Sequence, residues 1–121
     1  MSAESSFNSL ITNDANINAI VSNRIYPVKL KQNIEYPALM YRVDAAESEE
    51  YLRTVDYPPL TFYFEVNLYT RSYAELVNLS DALRSTFRAS NYNISSIEDN
   101  KYDDELATYT RTIGVTIVSN E

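Results

Sequence analysis

The chain reads as an α+β domain. The expected architecture is an antiparallel or mixed β-sheet with a helix packed on one face, an N-terminal helical segment, a long hairpin arm and a C-terminal β-hairpin. Three observations predict it. Phe62, Phe64, Val66 and Leu68 alternate with Tyr63, Glu65, Asn67 and Tyr69, the period of a strand with one apolar face. Leu76, Leu79, Leu83 and Phe87 then recur at helical spacing. Tyr109, Arg111, Ile113, Val115 and Ile117 alternate with Thr108, Thr110, Thr112, Thr116 and Val118. The order of helix, strands, helix, strands is that of an α+β fold with helices on one side of the sheet.

The elements follow in order. Phe7, Leu10 and Ile11 make a short helical face. Thr12-Asn13-Asp14 interrupts it with capping residues, and Ile17, Ile20 and Val21 form a second face that Ser22-Asn23 ends. Ile25 to Tyr36 is expected to be a connector, because Pro27 and Pro37 each hold the preceding tyrosine out of helical geometry. A strand from Ala38 to about Asp44 carries Leu39, Tyr41 and Val43 opposite Ala38, Met40 and Arg42, apolar enough on both faces for an interior position.

Ala45 to Leu60 is acidic and irregular. Tyr51, Arg53 and Val55 alternate with Leu52, Thr54 and Asp56, suggesting a short strand that Pro58-Pro59 breaks. The expected form is a hairpin arm whose sides carry residues 39–55 and 61–69. After it, Ser72 and Glu75 form a capping box for the main helix, which has Tyr73 and Ala82 beside its apolar face and ends at Ser90-Asn91. The remainder is a hairpin: a strand from Ile94 to about Tyr102, a turn at Asp103-Asp104-Glu105, and a strand from Ala107 to Val118. Gly114, the only glycine, lies inside that last strand, where glycine marks a bulge or a close backbone approach.

Composition narrows the function. At 121 residues the chain is expected to be one domain, long enough to bury roughly two-thirds of its unfolded surface. Apolar residues make up 45% and charged residues 22%, which argues against disorder. No run of about 18 apolar residues could span a membrane. The opening Met1-Ser2-Ala3-Glu4-Ser5-Ser6 lacks a basic region before an apolar core, so synthesis in the cytoplasm is expected. The net charge of −7 argues against holding a nucleic-acid backbone, which needs clustered Lys and Arg.

Catalytic chemistry has few residues to use. With no histidine the commonest general base and metal ligand are missing, and with no cysteine so are thiolate chemistry and the usual zinc sites. One glycine cannot build a phosphate-cradling loop. What remains is carboxylate pairs: Asp103, Asp104 and Glu105, then Glu47, Glu49 and Glu50. Such pairs can hydrolyse glycosides or hold a divalent cation, but a solvated turn and a solvated arm account for both clusters. No catalytic residue, cofactor or metal is expected. Tyrosine is the unusual residue, at eleven copies. It suits strands, and it also suits interfaces because its ring buries area while its hydroxyl stays bonded. Tyr63 and Tyr69, on the polar side of the clearest strand, are candidate interface residues.

One block is more specific. Arg24-Ile25-Tyr26-Pro27 is followed by Gln32-Asn33 and then by Tyr36-Pro37-Ala38-Leu39-Met40-Tyr41. With the aromatic strand Phe62–Tyr69, the helix start Ser72-Tyr73-Ala74-Glu75 and the final strand Tyr109–Val118, this ordered set resembles the tail completion and tail terminator proteins of long-tailed bacteriophages. The resemblance implies a virion structural protein at the head-proximal end of the tail. It would close as a ring, six-fold in that family, on the last ring of the tail tube protein and present a surface to the head connector. DNA would pass through the lumen without being held, and acidic charge suits such a wall. The arm would reach a neighbouring subunit, making Glu47, Glu49, Glu50, Tyr51, Arg53 and Tyr57 further candidate contacts. Alternatives are a head-completion adaptor and, in another class, an acidic DNA mimic that inhibits a nucleic-acid-binding protein.

Overall fold

A single carboxylate divides the N-terminal helical segment. In the computed structural model, which describes residues 3–28, 34–48, 60–100, 102–105 and 107–119, α1 (Ala3–Thr12) ends one turn before α2 (Ala15–Val21) begins. Asp14 between them has extended backbone angles and accepts the Ile17 amide at 2.9 Å, so it serves as the N-cap of α2. Asn18 Nδ2 donates back to the Thr12 carbonyl at 2.6 Å, bracing the corner. Ser22 and Asn23, at φ 50° and 66°, stop α2 in the left-handed region, as the sequence suggests.

Five strands form one sheet in the order β1-β2-β3-β5-β4. They are β1 (Ile25–Pro27), β2 (Ala38–Ser48), β3 (Leu60–Thr70), β4 (Asn93–Asp99) and β5 (Tyr109–Ser119), with α3 (Tyr73–Ala89) between β3 and β4. β1 runs parallel to β2, and the other three pairings are antiparallel. The expected α+β class is therefore observed, with all three helices contributing to a core on one sheet face.

That core follows the alternation. Phe64, Val66 and Leu68 of β3 are buried with Leu39 and Tyr41 of β2 and Ile113 and Val115 of β5. From the helices come Phe7, Ile11, Ile17, Val21, Leu76, Leu79, Leu83 and Phe87. Phe7 is the keystone of α1: it stacks on Phe64 with ring centroids 4.1 Å apart and on Phe87 at 5.6 Å. Complete burial of one such side chain stabilises the fold by roughly 1.5–3 kcal/mol. Tyr41 reaches from β2 to donate to Asn8 Oδ1 at 2.6 Å, and burial, then the charge of Glu4, raises its pKa.

The capping box forms with one change of partner. Ser72 Oγ accepts the Glu75 amide at 3.2 Å, and its hydroxyl meets the Glu75 carboxylate at 3.4 Å.

Several expected boundaries move. Ile25–Pro27 is not all connector; it pairs with Leu39–Tyr41 as a strand, too short to show any period. β2 continues past Asp44 to Ser48 because a bulge there absorbs the break in alternation. The hairpin strands are Asn93–Asp99 and Tyr109–Ser119, shorter at the turn end than expected. Tyr73 does not flank the core: it is 51% exposed. The arm strand read at Tyr51–Asp56 lies outside the described residues. Gly114 is opposite Ser96, beside a bulge between Ile94 and Ser96 on β4. A Cβ on Gly114 would stand 2.6 Å from Ser96 Oγ, so glycine here serves a close approach.

Candidate interaction surface

The sheet face opposite the helices is built from the alternate positions of the same strands. In register across it run Arg42, Glu65, Gly114 and Ser96, then Met40, Asn67, Thr112 and Glu98. Among the described residues, no helix or strand packs over this face. Its centre is polar and internally satisfied. Arg42 holds Glu65 across the strands, with Nη2 2.6 Å and Nε 2.8 Å from the same oxygen. Thr112 Oγ1 donates to Asn67 Oδ1 at 2.7 Å and accepts from Asn100 Nδ2 at 2.9 Å. A shallow depression of about 390 Å³ lies over Gly114, between Arg42, Tyr63, Glu65 and Ser96.

The sequence-predicted contact residues divide between two ends of this face. Glu47 is exposed on β2 opposite Thr61, and Tyr63 is half-buried two positions along β3. Tyr69 stands six residues further along, about 20 Å away at strand rise. It is half-buried beside Tyr36, whose ring centroid is 6.5 Å off and whose face carries the Arg71 guanidinium at 4.6 Å. Burial first, then electrostatic repulsion from Glu65, Tyr36 and Asp103, raises the Tyr69 pKa. Glu49, Glu50, Tyr51, Arg53 and Tyr57 lie outside the described residues.

A second aromatic group, not singled out from the sequence, forms where β5 meets the start of α3. Tyr109 packs edge-on against Tyr102 at 4.9 Å and Tyr73 at 6.1 Å. Arg111 lies 5.9 Å from the Tyr73 ring and is held by Asp99 at 2.5 Å. The turn carrying Asp103, Asp104 and Glu105 closes through mutual backbone bonds between Asp103 and Thr108. The signal was present in the sequence: Tyr102 and Tyr109 flank that turn and face each other once the hairpin closes.

At the far edge of the sheet, β4 is exposed along nearly its whole length. Between it and α3 runs a groove of about 690 Å³ lined by Arg84, Arg88, Tyr92, Ile94 and Ile97. Among the described residues there is no group of three or more acidic, histidine or cysteine side chains placed to hold a metal ion, and no helix long and apolar enough to cross a membrane. The geometry offers surfaces: a polar open sheet face, a tyrosine cluster, and a groove beside an edge strand. No family model matches the chain, and no match was found among curated proteins.

Proposed function

We propose that the chain is a phage virion structural protein that caps the tail tube as a ring and forms the head–tail joint. One observation carries the reading. The two halves of the block that resembles tail completion proteins fold against each other as one unit. Arg24 Nε donates to the Pro37 carbonyl at 2.8 Å, the Leu39 amide donates to the Arg24 carbonyl at 3.0 Å, and the Val28 amide donates to the Tyr41 carbonyl at 2.8 Å. The Arg-Ile-Tyr-Pro and Tyr-Pro segments thus form the parallel edge of the sheet, which gives the pattern a structural reason.

In this reading the role is structural, and the partners are further copies of the chain, the tail tube protein and the head connector. A ring is a head-to-tail contact that closes on itself. The open sheet face and the β4 edge supply two different surfaces, as such a contact requires. Net charge of −7 suits a lumen that lets DNA slide.

Electron microscopy of particles made with the gene silenced tests the reading. Overlong tubes without heads would assign it to ending tube growth. Tails of normal length beside full, unattached heads would assign it to joining. Normal infectious particles would overturn it.

A further inference from the structure

Six large apolar side chains stand exposed among the described residues, and three of them, Tyr73, Tyr102 and Tyr109, sit together. They are 51%, 46% and 36% exposed. Tyr109 is the middle ring, and its edge-on contacts with the other two hold all three in place. A patch of rings fixed in advance loses little side-chain entropy on binding, and tyrosine is favoured at the centres of protein interfaces.

The surroundings select the partner's charge. Between Glu98 and Glu105 the sequence holds five carboxylates and a single lysine. Asp104 and Glu105 are exposed at the turn beside Tyr102. The patch already accommodates a guanidinium: Arg111 lies against Tyr73 with Asp99 as its counter-ion. Aromatic faces attract cations, and nearby carboxylates raise the local concentration of a basic partner. The same carboxylates repel phosphate, and they would oppose one another if two copies met through this patch.

We propose that the Tyr73–Tyr102–Tyr109 patch is a docking surface for an arginine-bearing segment of a different protein. This does not depend on the ring reading. Each incoming guanidinium would lie on an exposed tyrosine face with a turn carboxylate as counter-ion, repeating the Arg111–Asp99–Tyr73 arrangement.

Calorimetric titration with an acetylated hexapeptide of alternating arginine and glycine, at about 0.15 M salt, tests it. The wild-type chain is expected to bind, with amide NMR shifts centred on residues 102–109. Replacing the two most exposed rings (Tyr73→Ala with Tyr102→Ala) should weaken binding about tenfold or more, while the NMR spectrum stays that of the folded chain. Asp104→Asn with Glu105→Gln should weaken it too and flatten its salt dependence. Equal binding by the double tyrosine variant would mean that bulk charge alone attracts the peptide, and would overturn the proposal. Shifts centred elsewhere, or no heat at millimolar peptide, would do the same.

Discussion

Thr86 Oγ1 donates to Asp14 Oδ2 at 2.7 Å, although 72 residues separate them. The other oxygen of the same carboxylate caps α2 through the Ile17 amide at 2.9 Å. One side chain therefore both starts a helix and ties it to α3. Burial raises the pKa of Asp14, but the hydrogen bonds from Ile17, Thr86 and Asn16 outweigh it, and the net shift is below the ordinary 3.8.

The sign of the resulting pH dependence follows. A carboxyl whose pKa is lower in the folded state stabilises that state above the unfolded pKa, and the contribution fades as pH falls through the folded one. Asp14→Ala should cost about 1–2 kcal/mol at neutral pH, since cap and tie go together. Asp14→Asn can keep both contacts and should cost less, while losing this part of the acid dependence. Urea denaturation at neutral pH and down through about pH 2 would check both.

Gly114 gives a prediction with a rescue. Alanine is ordinarily better than glycine inside a strand, yet its Cβ would stand 2.6 Å from Ser96 Oγ and 3.0 Å from Ser95 Oγ. Gly114→Ala should therefore destabilise by about 1 kcal/mol through overpacking. Adding Ser96→Ala removes the nearest atom and should restore most of the loss. Denaturant midpoints of the single and double variants decide it.

Phe7→Ala should be the most damaging simple change in α1. The ring is fully buried between Phe64 and Phe87, and truncating such a ring costs about 3–5 kcal/mol. Thermal unfolding followed by circular dichroism should show a large fall in midpoint, with Phe7→Leu intermediate.

The Arg111–Asp99 pair should matter little to stability. The hydrogen bond from Arg111 lowers the Asp99 pKa, burial opposes it and the charge of Arg111 adds to it, yet the Asp99 side chain remains 48% exposed. Water and salt screen such a pair, so Asp99→Asn should cost under about 1 kcal/mol at neutral pH. Its effect on stability should vanish in acid, as pH drops through the lowered pKa of Asp99. Chemical denaturation at two pH values measures this.

Most of the fold was legible because burial imposes a period. Phe62 to Leu68 and Leu76 to Phe87 each display one buried face, and Thr12-Asn13-Asp14 marks the helix break by capping chemistry alone. β1 was missed because three residues cannot show alternation and its pairing depends on Arg24 meeting Pro37 from another segment. The register beyond Asp44 was hidden by the bulge. For the surface, alternation put Tyr63 and Tyr69 on the face away from the helices and their spacing already set them about 20 Å apart, but neither could reveal that Tyr69 packs beside Tyr36. The Tyr102–Tyr109 contact was implicit in the hairpin, but no local pattern links Tyr73, at a helix start, to those two positions.

The strand order has a consequence for synthesis. β3, the central strand, pairs with β2 on one edge and β5 on the other, and of the five described strands β5 is the last to emerge from a ribosome. Until it arrives, the most aromatic strand in the sheet has an open edge that α3 and β4 cannot fill. β4 has no other strand to pair with before then. Closure of the sheet thus waits for β5, and a nascent chain halted before Tyr109 presents the Phe62–Leu68 edge to whatever strand it meets first, the situation in which newly made proteins most need a chaperone.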